Sequence, residues 1–109
     1  MAAEDGALPH VYVFGAGHVG RALAQMLALL PVQLEVIDTR RDELALLPSH
    51  IAARTVAMPE AVVRSAPSGS SFVILTHDHA LDFLIAQESL ARVDSPYIGM
   101  VGSATKRAR

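Results

Sequence analysis

Three glycines that follow a short apolar segment constrain the fold of this chain more than any other feature of its sequence. Residues 10–20 read HVYVFGAGHVG, which gives Gly15, Gly17 and Gly20 the spacing G-x-G-x-x-G. β-Branched and aromatic residues favour a strand, and glycine permits a sharp turn after it. Apolar side chains then recur at helical spacing over residues 18–30. The pattern predicts a buried strand, a tight turn and a helix in direct succession.

The rest of the chain alternates strand-like and helix-like segments. Strands are predicted at 10–14, 32–38, 51–56, 72–76 and 97–101, and helices at 18–30, 41–47, 59–66, 79–93 and from 102. This alternation predicts a parallel sheet, and right-handed crossovers place helices on both of its faces. We therefore expect an α/β, Rossmann-like doubly wound domain over residues 9–109, after an N-terminal segment (1–8) that is disordered or extended. The helix that begins near residue 102 is short, so we expect a fold truncated at its C-terminus.

Two helices have apolar residues that we expect to face the sheet. In the first helix these are Val19, Leu23, Met26, Leu27 and Leu30, and in the helix over 79–93 they are Leu81, Leu84, Ile85 and Leu90.

Composition narrows the classes of function. The 109 residues are 51% hydrophobic and 18% charged, with no cysteine and a formal net charge of −2. This balance indicates a globular cytoplasmic domain and gives no general basis for binding nucleic acid. No apolar run reaches the roughly 18 residues that cross a membrane, and thiolate catalysis and sulfur-ligated metals are excluded. Because so small a chain has much apolar surface to bury, we expect a homodimer.

The glycines have the context of a phosphate-binding turn. Gly15 would allow the turn, Gly17 would let the backbone approach a phosphate, and Gly20 would let the helix pack closely. His18 and Val19 lie at the helix start, where free N–H groups and the helix dipole favour an anion.

A carboxylate follows about twenty residues after the glycines. Asp38 ends the second strand, where an acid can accept hydrogen bonds from ribose hydroxyls, and Thr39 and Arg40 come next. The alternative is that Asp38 caps the following helix or pairs with Arg40 or Arg41. Arg40 and Arg41 could also bind a 2′-phosphate on the ribose, so the pattern does not distinguish NAD from NADP.

The segment THDHALD, residues 76–82, follows the fourth strand. The carboxyl ends of parallel strands face the ligand crevice, so we expect His77, Asp78 and His79 to lie near it and Thr76 and His77 to line it. His77 and His79 have a spacing that can bind metal, but a third ligand is not evident. We favour Asp78 as a helix cap over a metal site here.

The segment GSATKR, residues 102–107, follows the last strand. Gly102 and Ser103 would begin a helix, and Lys106 lies within its first turns. Free N–H groups and cations at this place could hold a second anion. The alternative is a capped helix start whose charges are solvated.

Four segments together resemble the Rossmann-type C-terminal domain of the XdhC/CoxI family. They are VFGAGHVGRALA (13–24), VIDTR (36–40), THDHALD (76–82) and YIGMVGSATKRAR (97–109). The resemblance implies an accessory protein that binds molybdenum cofactor and helps insert it into a molybdenum hydroxylase such as xanthine dehydrogenase. It also implies that the ligand is molybdopterin, in some cases with an attached nucleotide. The phosphate of the nucleotide would then lie on the glycine turn, its ribose at Asp38 and a further phosphate at GSATKR.

The sequence offers no convincing nucleophile and no paired acid and base, so we expect a binding and delivery module rather than an independent catalyst. Three alternatives remain open at this level. One is an NAD(P)-binding oxidoreductase domain, and another is a nucleotide-sensing regulatory domain of the potassium-uptake type. The third is a structural or oligomerising Rossmann domain without a ligand.

Overall fold

Five parallel strands form the centre of the structure, a computed structural model that describes residues 8–100. Their spatial order is β3-β2-β1-β4-β5. The strands are β1 (His10–Phe14), β2 (Gln33–Asp38), β3 (Ala52–Thr55), β4 (Ser71–Ile74) and β5 (Ile98–Met100). The helices are α1 (His18–Leu27), α2 (Arg41–Leu44), α3 (Pro59–Ser65) and α4 (His79–Ala91). The predicted Rossmann-like parallel sheet is thus confirmed.

The central strands are apolar because both of their faces are covered. In β1 and β4, alternate side chains enter opposite cores. Tyr12, Phe14, Phe72 and Ile74 pack with residues of α3 and α4 on one face. Val13 and Val73 pack with residues of α1 and α2 on the other face. The residues of β3, at the edge of the sheet, are all exposed.

Strand order reverses between β1 and β4, since β2 lies on one side of β1 and β4 on the other. At such a point the loops after neighbouring strands diverge and leave a crevice at their carboxyl ends. The fold therefore brings the loop after β1 and the loop after β4 to the same edge of the sheet.

The expected inward face of α1 is wrong for three of its five residues. Gly20 and Ala24 are buried, Leu23 and Leu27 are partly buried, but the side chains of Val19, Met26 and Leu30 are mostly exposed. The cause is close packing, because small residues let α1 lie directly against the sheet, and larger apolar groups remain outside. The helix also ends at Leu27 rather than at residue 30.

The helix α4 differs from its prediction in the same way. Its buried residues are Asp82, Ile85 and Ser89, and Leu81 packs against the core from the side. Leu84 and Leu90 are exposed. This helix is apolar on several sides, so the spacing of its leucines did not identify the buried side. The predicted N-terminal segment up to residue 7 and the predicted helix from residue 102 lie outside the described residues.

No helix within the described part of the chain is both long enough and apolar enough to cross a membrane.

Candidate functional site

A cavity of about 280 Å³ lies at the crevice between the loops that follow β1 and β4. It brings together most of the residues that the sequence predicted: Gly17, His18, Val19, Gly20, Arg40, Thr76 and His77. His79, which the sequence places near the crevice, also lines the cavity, as do Leu75 and Asp82, which were not predicted as site residues. Gly15, Asp38 and Thr39 do not line it, and Gly102, Ser103 and Lys106 lie outside the described residues.

Gly15 and Gly20 make the turn possible, and Gly20 also lines the cavity. Gly15 has a φ of +121°, and a Cβ at this residue would overlap the carbonyl group of Leu75. Its N–H donates to the carbonyl of Ile37 at 2.8 Å. A Cβ at Gly20 would overlap the carbonyl oxygen of Gly15, so α1 approaches the turn as closely as a backbone can. Neither position has room for a side chain.

Gly17 differs from the other two glycines. It precedes α1 with a φ of −74° and a ψ of −169°, which is extended backbone that any residue adopts. A Cβ at Gly17 would meet no atom of the described chain within 4 Å. Neither conformation nor internal packing therefore requires glycine here. Because Gly17 has no side chain, the N-terminus of α1 is accessible from the cavity.

The loop that carries Gly17 is held from both sides. The N–H of Ala16 donates to Oδ2 of Asp38 at 2.7 Å. The carbonyl of Ala16 accepts from Nη1 of Arg21 at 2.8 Å, and the same nitrogen donates to Glu43 at 2.9 Å. Because these bonds exist before any ligand binds, the loop has little conformational entropy to lose on binding.

Asp38 is buried, with 4% of its surface exposed, and it pairs with Arg40. Oδ1 accepts from the backbone N–H and from Nε of Arg40, at 2.8 and 3.0 Å. Oδ2 accepts from Nη2 of Arg40 at 3.0 Å, besides the N–H of Ala16. Burial alone would raise the pKa of Asp38, but the hydrogen bonds from Arg40 and Ala16 outweigh it and lower the pKa. Of the alternatives for Asp38, the pairing with Arg40 is observed, and ribose recognition stays a prediction.

The other wall of the cavity comes from the loop after β4 and the start of α4. Asp82 is 3% exposed, and its Oδ1 accepts from the N–H and Oγ1 of Thr76 at 2.9 and 2.6 Å. Its Oδ2 lies 3.9 Å from Nδ1 of His79. Asp78 caps α4 by accepting from the N–H groups of Ala80 and Leu81, as the sequence predicted. This wall is thus braced by two carboxylates.

Sequence reasoning missed Asp82 for an identifiable reason. Asp82 lies three residues before Ile85 and therefore on the same, buried side of α4. This spacing is the feature of the sequence from which Asp82 could have been identified. Among residues 8–100, no group of three or more histidine, cysteine, aspartate or glutamate side chains is arranged to hold a metal ion. The arrangement that the cavity does offer is a helix N-terminus and a guanidinium, which suits a phosphate.

Solved structures of other proteins share this fold. A protein in a crystal structure described as a xanthine dehydrogenase from Bacillus halodurans superposes with a TM-score of 0.76 and 23% identity, over 94% of this chain and 32% of that one. UDP-D-quinovosamine 4-dehydrogenase from Vibrio fischeri superposes with a TM-score of 0.55 and 18% identity, over 94% of this chain and 87% of that one. At these identities the likeness shows the fold alone.

The chain spans about a third of the length of the Bacillus halodurans protein. No curated protein sequence matches it. The model of the XdhC Rossmann domain family matches residues 11–109, which include the glycine turn and the whole described cavity. The chain therefore belongs to the XdhC Rossmann domain family.

Proposed function

We propose that this domain binds molybdenum cofactor and, as an accessory module, delivers it to a molybdenum hydroxylase of the xanthine dehydrogenase type. Membership of the XdhC family supports the accessory role. The observation that carries the binding role is the accessible N-terminus of α1, with Gly17 beside a cavity that Arg40 also lines. The cofactor is cargo in this proposal, since it is released to the client enzyme.

The residues of the cavity fit the phosphate of such a cargo. The N–H groups at the start of α1 have no side-chain cap within the described chain, and its first turn contains no acidic residue. An anion at this end of a helix gains both hydrogen bonds and the favourable end of the helix dipole. The phosphate of molybdopterin, or that of an attached nucleotide, supplies such an anion.

Contacts to the phosphate hold the cofactor by its non-reacting part. The sequence contains no cysteine, and the donors that the cavity offers are the backbone N–H groups at the start of α1 and the guanidinium of Arg40. The loop before α1 is already braced by Asp38 and Arg21. We infer a site that grips phosphate without rearrangement and therefore permits release when the client enzyme competes for the cofactor.

Titration of the purified chain tests the proposal. The probes are molybdopterin cofactor with and without an attached nucleotide, NADH and NADPH, each followed by calorimetry. We expect the molybdenum cofactor to bind more tightly than either dinucleotide. Tighter binding of NADH or NADPH would instead support a dinucleotide-binding domain, and a lack of binding by every probe would support a structural role.

The glycines provide a matched pair of variants for the same titration. Gly17→Val should reduce affinity by roughly a hundredfold or more, because its side chain occupies the phosphate position, while stability falls by less than about 1 kcal/mol. Gly20→Ala should instead destabilise the fold, because its Cβ overlaps the carbonyl of Gly15. Unchanged affinity in a folded Gly17→Val protein would refute the proposed site.

The homodimer and the cytoplasmic location expected from the sequence stay predictions. The outer side of α4 exposes Phe83, Leu84 and Leu90. Light scattering over a range of concentrations tests self-association, and a monomer at every concentration would contradict it.

A further inference from the structure

We infer that Arg40 is a specificity-determining residue that contacts a second phosphate of the ligand, and that Asp38 positions Arg40 instead of receiving a ribose diol. The inference rests on the proposed phosphate-binding function and specifies the ligand class of that site. It predicts a ligand with two phosphoryl groups, one at the N-terminus of α1 and one at Arg40.

The acceptor capacity of Asp38 is already full. A carboxylate has about four lone-pair positions for hydrogen bonds. Asp38 receives four bonds, two at each oxygen, from the N–H of Ala16 and from the N–H, Nε and Nη2 of Arg40. A ribose diol would have to displace one of these donors, and each of the four also holds Arg40 or the glycine loop in place. Asp38 is moreover buried and does not line the cavity.

Arg40 differs from Asp38, because several of its N–H donors are not used by the pair. A guanidinium carries five N–H donors, and the pair with Asp38 uses one at Nε and one at Nη2. No bond to another residue of the described chain uses Nη1 of Arg40. The residue lines the cavity, and 31% of its side chain is exposed. Its free edge is therefore accessible to a ligand, while its other edge is fixed.

The free edge of Arg40 suits a phosphate. A guanidinium presents paired N–H groups in one plane, which match two oxygens of a phosphate. The hydrogen bond to Asp38 raises the pKa of Arg40 above its ordinary value, so its charge is constant in the physiological range. The oxygens of Asp38 point towards Arg40 and Ala16. A phosphate that enters the cavity would therefore contact the N–H groups of Arg40 and not the carboxylate of Asp38.

The second phosphate could be attached either to the ribose or to the first phosphate of the ligand, and simple nucleotides distinguish these two cases. Adenosine 2′,5′-bisphosphate carries its second phosphate on the ribose, and adenosine 5′-diphosphate carries it on the first phosphate. Adenosine 5′-monophosphate is the reference with one phosphate. We expect the full chain to bind one of the first two probes at least about tenfold more tightly than the reference, as one charged hydrogen-bonded contact provides.

Arg40→Gln should remove this preference and leave the affinity for the monophosphate within about threefold. Arg40→Lys should retain part of it, because one charge remains without the planar edge. Arg41→Gln is the matched control, since Arg41 is exposed and does not line the cavity. Circular dichroism establishes that each variant is folded.

Three results would overturn the inference. These are no preference in the unmodified chain, an equal loss for all probes in Arg40→Gln, and, in Asp38→Asn, a loss of the monophosphate and the 5′-diphosphate with the 2′,5′-bisphosphate unaffected. The last result would restore the diol role, because only the first two of these probes carry a free ribose diol. The proposed function fails separately. If the bisphosphate or diphosphate preference depends on Arg40 but molybdenum cofactor does not bind, the inference stands and the delivery role does not.

Discussion

The N-termini of two helices, α1 and α4, lie at the same cavity, and they differ in side-chain capping. The helix α1 begins after Gly17, with no side-chain cap and no acid in its first turn among the described residues. The helix α4 begins after Asp78, which accepts from the N–H groups of Ala80 and Leu81, and Asp82 lies in its first turn. The first N–H groups of α1 have no side-chain acceptor among the described residues, whereas those of α4 are bonded to Asp78.

The difference identifies which wall of the cavity attracts an anion. Both ends have the same backbone dipole, so a fold-level argument alone would rate them equally. The capping carboxylate of Asp78 neutralises that advantage at α4, and the buried Asp82 adds a second negative group there. At α1 the nearby carboxylate of Asp38 is paired with Arg40. A phosphate is therefore expected at α1, with the α4 wall opposite it.

The largest expected effect comes from giving α1 the cap that α4 has. Gly17→Asp should lower the affinity for phosphate-bearing ligands by roughly a hundredfold or more, because a carboxylate takes the N–H groups and repels the anion. The free energy of unfolding should rise by a few tenths of a kcal/mol, about the gain from a better cap. Calorimetry and thermal denaturation measure the two quantities. Retained affinity would mean that the ligand binds elsewhere.

The converse change removes the cap of α4. Asp78→Ala should lower the free energy of unfolding by about 1 kcal/mol, as loss of an N-cap generally does. Ligand affinity should change much less than in Gly17→Asp. Denaturant unfolding measures the first and calorimetry the second, and a loss of binding comparable to that of Gly17→Asp would show that the two ends do not differ in function.

Acid sensitivity tests whether Asp38 fastens the glycine loop. Its pKa is lowered in the folded state, so its contribution to stability is complete above the ordinary carboxyl pKa, about 4, and is lost as pH falls through the folded value. The unmodified chain should therefore lose stability more steeply below about pH 4 than Asp38→Asn does. Asp94, whose pKa is lowered by hydrogen bonds from Arg92 and Gly69, is common to both proteins. Equal slopes would contradict this role.

The smallest effect separates the cap of α4 from its charge. Asp78→Asn keeps an oxygen that accepts from Ala80 and Leu81, and asparagine is as good an N-cap as aspartate. Stability should stay within about 0.5 kcal/mol, and anion affinity should rise by no more than about threefold as one screened negative charge is removed. A fall in affinity, measured at low salt, would argue against an anion in this cavity.

The fold was predictable because its signals are local. Apolar runs in β1 and β4 and the G-x-G-x-x-G spacing specify strand, turn and helix within a few residues. The inward face of α1 was not predictable from leucine spacing, since close contact of Gly20 with the turn selects a side made of small residues. The inward face of α4 was not predictable because this helix carries apolar residues on several sides. Tertiary packing made that choice.

In the candidate site, too, the features that depend on local sequence were predictable and those that depend on tertiary contacts were not. Its glycines and the loop after β4 followed from position in an α/β fold, and the cavity brings them together as expected. The full acceptor capacity of Asp38 was not readable, because it depends on where the N–H of Ala16 and the guanidinium of Arg40 come to lie. Asp82 was missed because a carboxylate on a helix is normally solvated.

The proposed function requires that an anion binds at the N-terminus of α1 and not at that of α4. An amide NMR titration of the full chain with adenosine 5′-diphosphate distinguishes the two ends, since each N–H reports its own environment. We expect the largest shifts at the amides of His18, Val19 and Gly20, while those of Ala80 and Leu81 stay nearly unchanged. Largest shifts at Ala80 and Leu81, or no shift at the start of α1 at saturating nucleotide, would contradict it.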